Sequence, residues 1–222
     1  MSRLVVFDVD STLLAVESLD FAVEIALASA DDGAERTEKL KALTDRGMVG
    51  ALDFRTSLEQ RIAIGGLTRD SVETAREALR AKITPGMGEL VKALKKGSGE
   101  VAAVSGGFID LIEPVLRDLG FEAGDIRANK LVFDGDLATG FDRDNPLSRS
   151  GGKAQVVRAL KSLTRMPLAV MIGDGMTDYE AFEAGGADSF IGFGGVAERA
   201  PVRAKAPAYA QNVDELKSLL MV

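Results

Sequence analysis

The chain has 222 residues, 46% hydrophobic and 27% charged, which suits one α/β domain with a modest insertion. Its net charge of -7 offers no basic surface for counterion release, so no nucleic-acid partner is expected. It has no His and no Cys, which excludes a phosphohistidine, a Ser-His-Asp triad, a thiolate nucleophile, disulfides and His-ligated zinc.

Leu4-Val5-Val6 is a short, β-branched run and predicts a buried strand. It leads into Phe7-Asp8-Val9-Asp10-Ser11-Thr12-Leu13, with two carboxylates at the carboxyl end of that strand. In open α/β sheets ligands bind at those ends. Bringing two acids together costs repulsion, which a nearby cation removes. The same acids interrupt the apolar N-terminus, so a signal peptide is not expected there. No apolar run is long enough to span a bilayer, and a cytoplasmic protein is expected.

From about Ser18 to Lys82 the spacing is helical. Ser18 is placed to cap a first helix with Phe21, Ala22, Ile25 and Ala26 on one face. Asp31-Asp32-Gly33 breaks it, and Leu40, Leu43 and Met48 mark a second. Asp53 caps a third carrying Phe54, Leu58, Arg61 and Ile62, and Gly65-Gly66 ends it. Thr68 caps a fourth, with Val72, Ala75 and Leu79 inward.

Thr84-Pro85-Gly86 marks a return, followed by a helix with Leu90, Val91 and Leu94. Val101-Ala102-Ala103-Val104 predicts a second buried strand ending in Ser105-Gly106-Gly107-Phe108. The next helix carries Ile109, Ile112, Val115 and Leu119, and Pro114 predicts a late start or a kink. Residues 131–140 give a hairpin signal around Asp134-Gly135-Asp136. A helix from about Gly152 precedes a third buried strand over Leu168–Ile172, which ends in Gly173-Asp174-Gly175-Met176-Thr177-Asp178. Ser189–Phe193 predicts a fourth strand, and Val213, Leu216, Leu219 and Leu220 predict an amphipathic tail helix.

Strands alternating with helices predict a Rossmann-like, doubly wound parallel sheet of the α/β class. A small four-helix cap is inserted after the first strand. Residues 1–14 and 84–222 form the core and 15–83 the cap. Three strands ending in polar, Gly-rich loops would gather Asp8, Asp10, Ser105 and Asp174 at one edge.

An Asp carboxylate can attack phosphorus and form an aspartyl phosphate, and a second acid can protonate the leaving oxygen. Gly-Asp-Gly alone is an ordinary turn. Placed after a buried strand, with Asp178 four residues on, it suits a cation loop. Ser105 and Gly106 suit a phosphate cradle built from a hydroxyl, backbone N–H groups and a helix N-terminus. Oxygen-only ligands favour a hard cation, Mg²⁺ before Zn²⁺.

The order of these motifs resembles the haloacid dehalogenase superfamily of phosphatases, and the likeness covers essentially the whole chain. By that resemblance, Asp8 is the nucleophile and a Mg²⁺ ligand. Asp10 is the acid/base and binds Mg²⁺ through its backbone carbonyl. Asp174 is a direct ligand, and Asp178 stands behind it or holds Lys153. Lys153 neutralises the nucleophile and the transferring phosphoryl group, and Ser105, Gly106 and Gly107 cradle it. Further residues are similar to the phosphoserine phosphatase branch. Glu17 matches the acid used there for the substrate ammonium. Phe54 and Arg61, seven residues apart on one helix face, match a cap motif in which Arg61 forks onto the substrate carboxylate. Met48 would line the same pocket, and Thr177 would contact substrate or phosphate. Thr177 and Met176 depart from many microbial members. The resemblance implies Mg²⁺-dependent hydrolysis of O-phospho-L-serine by a monomer or homodimer with a small-molecule substrate. Alternatives are phosphotransfer to another alcohol such as homoserine, another small-metabolite phosphatase, and a non-catalytic phosphoserine-binding module.

Overall fold

The computed structural model describes residues 2–48 and 52–222. Its strands are β1 (Leu4–Phe7), β2 (Glu100–Phe108), β3 (Ile126–Asn129), β4 (Leu131–Asp134), β5 (Leu137–Phe141), β6 (Ala169–Gly173), β7 (Ser189–Phe193) and β8 (Ala208–Ala210). Six form one parallel sheet in the order β3-β2-β1-β6-β7-β8, while β4 and β5 form a separate antiparallel hairpin. Every residue of the central β1 is buried, as expected of a strand covered on both faces. Phe7 lies opposite Ala103 of β2 and Ile172 of β6, so the carboxyl ends of all three strands reach one edge together.

Side-chain alternation along β1 builds two cores. Val5 and Phe7 join one apolar cluster, and Leu4 and Val6 join another on the opposite face. Four helices follow β1: α1 (Ser18–Leu27), α2 (Gly33–Met48), α3 (Phe54–Gly65) and α4 (Arg69–Ala78). Their buried Leu19, Val23, Leu40, Leu58, Ile62 and Val72 belong to the Val5–Phe7 cluster. The chain leaves and re-enters the sheet at one place, where Leu14 and Ile83 form an antiparallel bridge. The remaining helices are α5 (Met87–Lys95), α6 (Ile109–Asp118), α7 (Gly152–Thr164), α8 (Met176–Glu183), α9 (Ala200–Lys205) and α10 (Val213–Leu220). The sequence-predicted α/β class and parallel sheet are present. No helix among the described residues is long and apolar enough to cross a membrane.

Local signals held where one residue decides the conformation. Asp53 accepts from the Thr56 N–H at 3.0 Å, and Thr68 and Ser71 form a capping box at the start of α4. Gly66 closes α3 in the left-handed region, at φ 57°.

Several expectations need correction. Ser18 does not cap α1: Glu17 is the flanking residue, and Ser18 is the first helical position, completely buried. β2 continues through Ser105, Gly106 and Gly107 to Phe108, with an irregular register against β3 over that stretch, so these residues end a strand instead of opening a helix. α6 starts at Ile109 without delay and carries Pro114 inside it. Leu219 is 42% exposed, because the buried stripe of α10 follows Val213, Leu216 and Leu220. β3 and β8 were not anticipated.

Candidate active site

β1 delivers Asp8 to the sheet edge, where its N–H donates to the Ile172 carbonyl at 2.8 Å. The chain then makes a wide turn in which the Leu14 N–H returns to the Val9 carbonyl at 2.8 Å. Ser11 sits in the left-handed region at φ 51°, a conformation that costs a non-glycine residue about 1 kcal/mol. Two bonds hold it there: its N–H donates to the Val16 carbonyl at 3.2 Å and its hydroxyl to Glu17 Oε1 at 2.8 Å. This turn brings Asp10 to the start of α1. Asp10 Oδ1 accepts the N–H of Ser18 at 2.9 Å, at the positive end of α1. Burial, with Glu17 and Asp8 adding repulsion, still raises the Asp10 pKa to about 7.

Lys153, on the first turn of α7, bridges two acids. Its ammonium donates to Asp8 Oδ1 and to Asp178 Oδ1, both at 2.6 Å. Burial opposes its charge, but Asp178 and Asp8 outweigh that and hold its pKa above the ordinary lysine value. The other oxygen of Asp178 accepts the Gly175 N–H at 3.0 Å. Gly173 is required by this packing, since a Cβ there would lie 2.2 Å from Asp178 Oδ2. Burial and the Asp8 charge raise Asp178 to about 7 and Asp174 to about 8. Ligand oxygens of Asp8, Asp174 and Asp178 lie within 4.8 Å of one another, a buried acidic cluster able to hold a cation.

A cavity of about 530 Å³ opens above these groups. Asp8, Asp10, Lys153 and Asp174 line it from the sheet edge, and Glu17, Phe54 and Arg61 line it from the helical segment. Gly106, Gly107 and Thr177 are also on its wall. Ser105 is not: it is fully buried, and its Oγ accepts the Gly107 N–H at 2.8 Å. That amide is therefore already used, but the Ser105 hydroxyl proton is left to donate. Gly106 meets the helical segment directly, because a Cβ there would lie 2.6 Å from Phe54 Cζ. Met48 closes α2, and its side chain lies outside the described residues.

Three participants were not anticipated. Arg61 is 6% exposed and is held by Asp20 Oδ1, from Nε at 2.8 Å and from Nη2 at 2.5 Å. Thr44 Oγ1 steadies the same carboxylate at 2.6 Å. Arg199 donates from Nε to Asp174 Oδ2 at 2.6 Å and from Nη2 to Glu17 Oε1 at 3.3 Å. Asp20 carried a weak signal, an acid one turn after Glu17. Arg199 carried none, since its partners lie 25 and 182 residues away. Burial raises the Glu17 pKa, and Arg61, the Ser11 hydroxyl and Arg199 oppose that rise.

Paired carboxylates at a central strand tip, braced by a buried lysine beneath a glycine turn, are the parts of a phosphoryl-transfer site. The family model described as haloacid dehalogenase-like hydrolase matches residues 5–183, and the chain belongs to that family. It is 38% identical over 214 residues to the phosphoserine phosphatase of Mus musculus, covering 96% of this chain and 90% of that one. Among solved structures, a phosphoserine phosphohydrolase-like protein from Francisella tularensis superposes with a TM-score of 0.88 at 32% identity, over the whole of both chains. A phosphoserine phosphatase solved as an analogue of its phospho-aspartyl intermediate gives a TM-score of 0.82 at 28% identity, covering 98% of each chain. Within the family, these likenesses put the chain among the phosphoserine phosphatases.

Proposed function

We propose that the protein hydrolyses O-phospho-L-serine to L-serine and phosphate, the final step of serine biosynthesis. The observation that carries this is one cavity in which a phosphoryl-transfer edge faces an acid and a base suited to an α-amino acid. Glu17 takes the ammonium and Arg61 the carboxylate, with Asp20 aiming the guanidinium. Residues 15–83 serve as the cap over a core of 1–14 and 84–222, and its closure excludes water. The protein would act as a monomer or a homodimer on a small-molecule substrate. A cysteine-free chain suits the cytoplasm.

Asp8 attacks phosphorus in line, forming the aspartyl phosphate as the bond to the serine oxygen breaks. Asp10, with a pKa of about 7, carries the proton that the leaving serine oxygen receives. Water then attacks the aspartyl phosphate, gives its proton to Asp10 and frees Asp8. Lys153, the Ser105 hydroxyl and the Gly106–Gly107 end of β2 hold charge on the phosphoryl oxygens.

The acids at the sheet edge suit a hard divalent cation: their oxygens converge, they are buried, and burial with the Asp8 charge raises the pKa of Asp174 and Asp178. Asp8, Asp174 and the Asp10 backbone carbonyl are its proposed ligands. Asp178 stands behind them, with both oxygens already used by Lys153 and Gly175. Mg²⁺ bound there would offset repulsion between carboxylate and phosphate and orient the phosphoryl oxygens.

Steady-state kinetics on two phosphate esters tests the assignment. Glu17→Gln and Arg61→Ala should raise KM for O-phospho-L-serine about 100-fold and leave turnover of p-nitrophenyl phosphate within a few-fold of wild type. Equal losses on both esters would overturn the amino-acid pocket.

A further inference from the structure

Arg199 has no part in the reaction above, yet its guanidinium lies between two acids that do. It holds Asp174 at 2.6 Å and Glu17 at 3.3 Å. Asp174 is 4% exposed, so it has little access to water if this pair opens. It also belongs to the carboxylate cluster proposed to hold the cation. A guanidinium and a divalent cation on one carboxylate repel each other, and in a buried site that repulsion is weakly screened. Arg199 enters from the connection after β7, just before α9, with extended backbone at φ -106° and ψ 110°. Its second contact, Glu17, flanks the start of α1 and also lines the cavity. One side chain thereby joins the cation ligands to the amino-acid pocket.

We propose that Arg199 is a positioning residue that occupies Asp174 in the cation-free protein and moves its full hold to Glu17 when the cation binds. Filling the cation site would then be coupled, through Arg199, to the Glu17 carboxylate of the amino-acid pocket. The order of events follows from charge alone: the cation displaces Arg199 from Asp174, and the displaced guanidinium stays on Glu17. This rests on the cation and Glu17 assignments proposed above.

Calorimetric titration of the substrate-free protein with Mg²⁺ tests it without turnover. Removing the competitor in Arg199→Gln should tighten Mg²⁺ binding about tenfold, with Arg199→Lys between it and the wild type. In the wild type, the Arg199 Nε–H resonance, identified by its loss in Arg199→Lys, should shift during the same titration. Equal Mg²⁺ affinities in folded chains, or an Nε–H signal unmoved at saturation, would overturn the role of Arg199 while leaving the cation site standing. Absence of Mg²⁺ binding in every chain would remove the cation site and this role together.

Discussion

Asp8 and Asp10 are two residues apart and meet different partners. Asp8 faces Lys153, whereas Asp10 faces the amide at the start of α1. The left-handed Ser11 between them and Glu17 makes that division possible. Substitution should therefore separate their roles. Asp8→Asn removes the nucleophile and is expected to abolish turnover and phosphoenzyme. Asp10→Asn keeps the nucleophile but loses proton transfer, and kcat should fall by about 10²–10⁴-fold. A rapid-quench experiment should still trap phosphoenzyme in the second variant and not in the first. Lys153→Met leaves Asp8 and Asp178 buried without their counter-ion, and should cost about 3 kcal/mol in urea unfolding at pH 7. A loss below 1 kcal/mol would mean that the lysine is not needed to offset the buried acids.

At the scale of elements, the sheet edge and the helical segment meet at Gly106 and Phe54. A methyl group at Gly106 must push the Phe54 ring aside, since α3 is pinned by its Asp53 cap. Gly106→Ala should raise KM several-fold, and Phe54→Leu in the same chain should recover part of the loss. If the double variant is no better than the single, the strain lies elsewhere. Legibility in the sequence followed the range of the interaction. Asp53, Thr68 and Gly66 act on their own helix ends, and their sequence signals sufficed. β3 has four residues and β8 three, both toward the rims of the sheet, too short to show a hydrophobic period. Ser18 has the composition of a cap, but complete burial and the Asp10 contact make it the first residue of the helix. The Asp20–Arg61 pair joins residues 41 apart, and nothing local announces it.

For the whole molecule, the site is legible because its acids follow strands, and parallel pairing alone brings strand ends together. β1 and β6 align residue for residue, Phe7 opposite Ile172, so Asp8 and Asp174 both leave the sheet just past the paired strand ends, and their carboxylates converge. Parallel pairing of this kind also makes stability depend on long-range ties such as Asp188. That carboxylate accepts from Lys161 on α7 at 2.6 Å and from the Ala169 N–H of β6 at 2.7 Å. The Lys161 bond, with the Ala169 amide, lowers its pKa. A lowered folded-state pKa contributes stability above the unfolded value and loses it as pH falls through the folded one. Asp188→Asn should therefore be less stable than wild type at pH 7, and the gap in urea unfolding should close in acid, below the ordinary carboxylate range. A gap that persists there would show that packing, not charge, carries the effect. The central claim is tested most directly by phosphate release from O-phospho-L-serine. Wild type and Asp8→Asn would each be assayed with Mg²⁺ and again after EDTA. The account predicts release from wild type with Mg²⁺ and from neither control. Release that survives Asp8→Asn, or a wild type inert toward phosphoserine with Mg²⁺ present, would contradict it.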